Sequence, residues 1–188
     1  MDPLDAMAAA SSTLAGILDQ VGPDQMGSPT PCADWDVREL INHVTMGNEM
    51  SVAMMDGATQ EEVTAFTSRQ YAGDVRTLCR RSIDAQLTRF QAVDDWDVVV
   101  HHIIGDIPTS QLLGFRITDL ALHAWDLASA CGFELRLSDE LAAHIYEVMK
   151  PMEPFIATVG VFGDGPSGTV DSDADLQQRL LDLTGRRP

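Results

Sequence analysis

Residues 4–21 carry Leu4, Met7, Ala8, Leu14, Ile17, Leu18 and Val21 at helical spacing, and Gly22 with Pro23 closes the segment. The pattern predicts a first amphipathic helix. The following run, Met26-Gly-Ser-Pro-Thr-Pro-Cys-Ala-Asp-Trp35, cannot be regular structure, because Pro29 and Pro31 fix two φ angles and remove two donors. It reads as a loop into a second helix, which starts at Asp36 as N-cap with Glu39 three residues on in a capping box. Val37, Leu40, Ile41, Val44, Met50 and Met54 hold the period to about 56–57. His43 falls in the row Leu40, His43, Gly47, Met50, Met54, so it borders the apolar face.

A polar connection over 58–68 precedes a third helix, 70–91, with Val75, Leu78, Cys79, Ile83, Leu87 and Phe90 inward. Its outer face carries Arg76, Arg80, Arg81 and Arg89, which reads as a solvated surface paired with nearby acids. Between 94 and 108 the period changes to β-branched and aromatic residues, predicting a short extended or hairpin segment. A fourth helix then runs over 109–131 and stops at Gly132, and a fifth is capped by Ser138 and reaches Met149, continuing past Pro151 and Pro154 with a kink. The Gly- and Asp-rich run 160–173 is read as a loop, and 175–184 as a short helix ended by Gly185. The expected fold is an all-α four-helix bundle with a hairpin before the fourth helix and extra C-terminal helices. At 188 residues it is expected to be one domain, 1–188, with 151–188 as an extension packed on the bundle.

One face of the fourth helix breaks the apolar pattern. Arg116, Asp119 and His123 lie among Leu112, Leu113, Leu120 and Leu127, and Asp119 and His123, four apart, share a face. Burying a carboxylate and an imidazole unpaired would cost several kcal/mol. A divalent metal suits both, and His43 from the second helix completes a set of two imidazoles and one carboxylate that leaves an open position. The competing reading from the residues alone is a buried polar network of Arg116, Asp119 and His123, with His43 as a helix-surface or core histidine. Arg116, one turn from Asp119, is placed to orient that carboxylate or to bind a substrate carboxylate; a structural pair with Asp126 or Glu49 is an equal alternative. Trp125 and Asp126 read as packing and supporting groups. His101 and His102, adjacent in an extended segment, face opposite sides and stay outside the site. Cys32, near the start of the second helix, reads as a loop-packing residue.

Charge narrows the partners. Asp and Glu total 29 against 12 Lys and Arg, giving a net charge of −17, which repels phosphate backbones and anionic membranes. Nucleic acid and membrane are not expected as partners. No stretch reaches the length of a membrane span and Met1-Asp-Pro-Leu-Asp5 lacks a basic secretion start, so a cytoplasmic location is expected. Three widely spaced cysteines, Cys32, Cys79 and Cys131, fit reduced thiols.

Four motifs in order, Thr30-Pro-Cys-Ala-Asp-Trp-Asp-Val-Arg-Glu-Leu-Ile-Asn-His43, Gly105-Asp-Ile-Pro108, Phe115-Arg-Ile-Thr-Asp-Leu-Ala-Leu-His-Ala-Trp-Asp-Leu-Ala128 and Leu180-Leu-Asp-Leu-Thr-Gly-Arg-Arg-Pro188, span almost the whole chain. Together they resemble the mycothiol-dependent maleylpyruvate isomerase-like branch of the DinB-like metal-binding helix-bundle superfamily. The resemblance implies a divalent metal, usually zinc, held by His43, Asp119 and His123. It also implies mycothiol as a thiol cosubstrate and a small electrophile as substrate, hence a thiol-dependent transferase or isomerase. Asp119 departs from the isomerase's Glu and is one methylene shorter, so it reaches the metal either directly or through water. A bundle that binds metal or ligand without catalysis, for stability or sensing, is the alternative function. A homodimer through exposed helix faces is compatible with such a bundle, although no heptad pattern calls for it.

Overall fold

The computed structural model describes residues 1–159 and 165–187, which form two compact units, Asp2–Phe133 and Glu134–Pro188. The first contains the helices α1 (Pro3–Leu18), α2 (Val37–Met55), α3 (Gln60–Phe66), α4 (Val75–Gln91) and α5 (Thr109–Cys131), with a hairpin of β1 (Val99–His102) and β2 (Gly105–Pro108). The long helices α1 and α2 each pack against both α4 and α5, so the four close a ring around one core. Met7, Leu14, Leu18, Leu40, Ile41, Ile83, Phe90, Leu112, Ile117, Leu120 and Leu127 fill it, each at 4 % exposure or less. Full burial of such side chains contributes about 1.5–3 kcal/mol apiece, which is what holds the helices at fixed separation.

Local signals set the helix ends. Asp36 Oδ1 accepts from the Glu39 amide and Glu39 Oε2 accepts from the Asp36 amide, at 2.8 and 2.9 Å, closing the capping box that starts α2. Gly132, at φ +73°, ends α5, and the Phe133 amide donates back to the Ala128 carbonyl at 2.8 Å. The hairpin is antiparallel with Val99 opposite Pro108 and His102 opposite Gly105, and α5 starts directly after it.

The third helix differs from its prediction. Residues 60–66 form α3 inside the expected polar connection, and α4 begins at Val75 instead of 70. Thr59 and Glu62 make a second capping box, whose Thr-x-x-Glu signal lies within a run too polar for periodicity to reveal. Gly73, at φ +85°, and the Asp74 cap on the Arg76 amide then delay α4. On its outer face Arg80 pairs with Asp19 and Arg89 with Asp56, so the basic stripe is matched by acids.

In the second unit, α6 (Asp139–Met149) packs on α8 (Leu176–Leu183), with α7 (Glu153–Val159) between them in sequence. Ser138 caps α6 through the Leu141 amide, and a 3-10 turn over Lys150–Met152 separates α6 from α7. Pro154 therefore sits in the first turn of α7, where its missing donor costs nothing. Of the expected loop over 160–173, residues 160–164 lie outside the described residues.

Buried polar groups link α2 to α4. Asn48 Nδ2 donates to Ser82 Oγ at 3.0 Å, and Gln86 Nε2 donates to Ser51 Oγ, which donates to the Asn48 carbonyl. Asn48 and Gln86 are not equivalent, because Gln86 Oε1 is buried without a hydrogen-bond partner whereas Asn48 uses both ends of its amide. Asn48→Ala is expected to cost about 1–3 kcal/mol by stranding its partners, and Gln86→Leu to be near neutral. Thermal melts of the two variants check this; equal losses would show that the network does not discriminate between them.

Candidate metal centre

Asp119 stands at the middle of the polar row on α5, and His43 reaches it from α2. His43 Nε2 and His123 Nε2 each lie 3.4 Å from Asp119 Oδ1. The three ligand atoms all fall within 4.8 Å of one another. A charged N–H···O⁻ hydrogen bond is usually about 2.7–2.9 Å long, so 3.4 Å is a loose contact. Two donors about 2.0–2.1 Å from one ion at the tetrahedral angle stand about 3.3–3.4 Å apart. Two neutral-capable imidazoles, one carboxylate and this spacing are a donor set that fits a divalent cation.

The other carboxylate oxygen faces Arg116. Arg116 Nη2 lies 3.0 Å from Asp119 Oδ2, a contact off the hydrogen-bonding direction that leaves this buried oxygen without a directed donor among the described residues. The same Nη2 donates to Asn48 Oδ1 at 2.8 Å. Of the alternative partners, Glu49 accepts from Tyr71 and Arg69, and Asp126 from His123. Arg116 is only 7 % exposed, and its guanidinium lies against the bare Cα of Gly47, where an added Cβ would stand 2.5 Å from Nη1. This explains a glycine in the interior of α2, which costs helix stability of roughly 0.5–1 kcal/mol.

Electrostatics follow from the packing. Burial pushes the Asp119 carboxyl up, but the Arg116 guanidinium and the His123 and His43 imidazoles outweigh it and hold the carboxyl well below its usual range. Burial likewise disfavours charged His123, yet Asp119 foremost, with Asp126 and Cys32, lifts its pKa well above the ordinary value.

Behind His123 lies a second layer. Its Nδ1 is 2.9 Å from Oδ2 of Asp126, which is fully buried, and Cys32 Sγ is 3.5 Å from that same oxygen. Cys32, His123 and Asp126 are themselves close enough to be considered a ligand set. However, 2.9 Å is too short for two ligands of one tetrahedral ion and is an ordinary hydrogen bond. The arrangement is that of a carboxylate orienting a histidine, of the kind that also supports histidines at metal centres. Trp35 covers both imidazoles, its ring 4.4 Å from that of His43 and 6.1 Å from that of His123.

The structure thus brings His43, Asp119, His123 and Arg116 together. Sequence reasoning missed Gly47, Asn48 and the contacts of Trp35 and Cys32; the mid-helix glycine was the one local signal of close approach. His101 is exposed and pairs with Asp106 across the hairpin at 2.7 Å. His102 packs on Phe115 with ring centroids 5.6 Å apart, and burial together with the Arg116 charge lowers its pKa.

Known proteins share this arrangement's setting. The sequence profile of the mycothiol maleylpyruvate isomerase N-terminal domain matches residues 7–128, which include every residue of the centre. Two Mycobacterium tuberculosis proteins, Uncharacterized protein MT0763 of strain CDC 1551 / Oshkosh and Uncharacterized protein Rv0738 of strain ATCC 25618 / H37Rv, are each 34% identical over 142 residues. That alignment covers 76% of this chain and 74% of theirs. The crystal structure of the mycothiol-dependent maleylpyruvate isomerase superposes with a TM-score of 0.63, and that of a histidine-to-alanine variant of it with 0.64. Both match at 17% identity over 83% of this chain and 68% of theirs, a likeness of fold that fits the all-α DinB-like architecture. The chain belongs to the mycothiol maleylpyruvate isomerase N-terminal domain family.

Proposed function

We propose that this protein holds a divalent metal, zinc by the chemistry of its donors, at His43, Asp119 and His123, and serves a thiol-dependent transferase or isomerase reaction on a small electrophile. The supporting observation is the convergence of two Nε2 atoms and one carboxylate oxygen at 3.4 Å spacings. Family membership supports mycothiol as the thiol. A divalent ion bound there supplies Lewis acidity, lowering the pKa of a thiol so that thiolate is available near neutral pH.

The chain's own groups do the rest. Asp126 accepts from His123 Nδ1, so that once the imidazolium gave up its other proton Nε2 would be the lone-pair nitrogen facing Asp119. Arg116 holds Asp119 Oδ2 and keeps its carboxyl ionised, while Oδ1 faces the imidazoles. Trp35 packs beside both rings, closest to that of His43. Arg116 is engaged and buried, which supports a role in positioning Asp119 over one in binding a substrate carboxylate.

Zinc-loaded protein is expected to retain one equivalent of metal and to form a thiol adduct or isomerised product from an electrophile in the presence of mycothiol. His123→Ala should abolish both, and Asp126→Asn should weaken metal binding about 10–100-fold. Elemental analysis after dialysis with thiol-dependent turnover assays provides the test. Metal content unaffected by His123→Ala would sink the proposal.

A pH prediction follows from His123. In the metal-free protein its pKa is raised, so its pairing with Asp119 contributes fully below about pH 6.5, the unfolded value, and is lost as pH climbs through the folded value. Asp119 is shifted the opposite way, so its contribution is present above the unfolded carboxyl value and disappears only in stronger acid. Melting temperature in chelator should therefore decline as pH rises above neutrality. Zinc affinity should rise over the same range, because the His123 proton competes with the ion. Parallel melting curves with and without zinc at every pH would contradict this.

A further inference from the structure

We infer that Cys32 is a positioning residue for the metal centre. It is the outermost member of a chain in which its thiol and the His123 Nδ1–H donate to one oxygen of Asp126. The inference rests on the metal reading above and adds a residue that this reading does not require.

Three observations carry it. Asp126 Oδ2 accepts from His123 Nδ1 at 2.9 Å and stands 3.5 Å from Cys32 Sγ, a normal distance for a sulfur donor. Asp126 is fully buried, so neighbouring side chains, and not solvent, set the orientation of its carboxylate. The loop leaves Sγ little freedom. Thr30 Oγ1 accepts from the Cys32 amide at 3.1 Å and donates to the Trp35 carbonyl at 2.8 Å, and the Trp35 amide donates to the Cys32 carbonyl at 2.9 Å. The Val37 and Arg38 amides then tie α2 back to the Ser28 and Met26 carbonyls, both at 3.0 Å.

A weak S–H donor on a carboxylate oxygen fixes direction without drawing off much charge. Oδ2 stays basic enough to hold the Nδ1 proton, and the ring cannot swing Nε2 away from Asp119. The proline-rich loop therefore acts on the centre through two side chains: Trp35 packs on the imidazole faces, and Cys32 holds the carboxylate behind one of them. With an apolar residue at 32 that oxygen would lose its sulfur donor and hold His123 less firmly.

Chelator-treated wild type, Cys32→Ala and Cys32→Ser are titrated with cobalt(II), recording affinity, the visible d–d spectrum and the metal-free melting temperature. Cys32→Ala is expected to bind cobalt about tenfold more weakly, the lower end of the effect of losing an outer partner of a metal ligand, with an altered d–d spectrum. Cys32→Ser, which keeps a donor, should return affinity and spectrum toward wild type. An unchanged cobalt spectrum and affinity in Cys32→Ala would overturn the inference, even with a lowered metal-free melting temperature. A thiolate-to-cobalt charge-transfer band in wild type that Cys32→Ala removes would also overturn it, by making Cys32 a ligand. Wild type that binds no cobalt would remove the metal reading and this inference together.

Discussion

A carboxylate between packed helices must be balanced, and the structure around Asp119 is organised by that need. Its two oxygens have separate duties: Oδ2 faces Arg116, and Oδ1 faces two imidazoles. Each neighbour creates a further requirement. Buried Arg116 needs an acceptor, supplied by Asn48, and a space, supplied by Gly47. Asn48 then draws in Ser82 of α4. His123 needs a group for its second nitrogen, supplied by Asp126. One charge at position 119 thus accounts for polar residues on three helices that would otherwise carry a solvation cost with no return.

Most of the scaffold was legible because its signals are local. Asp36 with Glu39 marks a helix start, Gly132 a stop, and Ser138 another start, each within a few residues of the element it controls. The α3 turn was missed because its capping box sits in a segment too polar to show a period. For the site, the i,i+4 spacing of Asp119 and His123 was visible in one helix, but their partners were not. Asn48 lies 68 positions from Arg116 in sequence and Cys32 lies 94 from Asp126, so only the fold brings them together. The ring of Trp35, at the end of the predicted loop, likewise reaches the two imidazoles only through the fold.

Geometry compensates for the short side chain at position 119. Asp119 has a single methylene to extend it, yet Oδ1 stands equally far, 3.4 Å, from the His43 and His123 nitrogens. The equality reflects where the carboxylate is pinned: Arg116, one turn earlier on the same helix, draws Oδ2 to one side and presents Oδ1 to the other. A short side chain has few rotamers, so this single ionic contact is enough to direct it. The same shortness makes the arrangement depend on Gly47, since any displacement of the guanidinium carries the carboxylate with it.

Charge accounting points to the kind of ligand such a centre favours. Without an ion, the carboxylates of Asp119 and Asp126 are matched by the Arg116 guanidinium and a His123 held as imidazolium, so these neighbours sum to zero. On the proposed metal reading, replacing the His123 proton with a divalent cation would leave the same residues with a surplus of one positive charge. In a mostly buried site that surplus would be poorly screened, and an anion beside it would restore neutrality. A thiol entering as thiolate would do so, whereas a neutral thiol would not. The residues that neutralise the metal-free centre would then be the ones that favour the nucleophilic form.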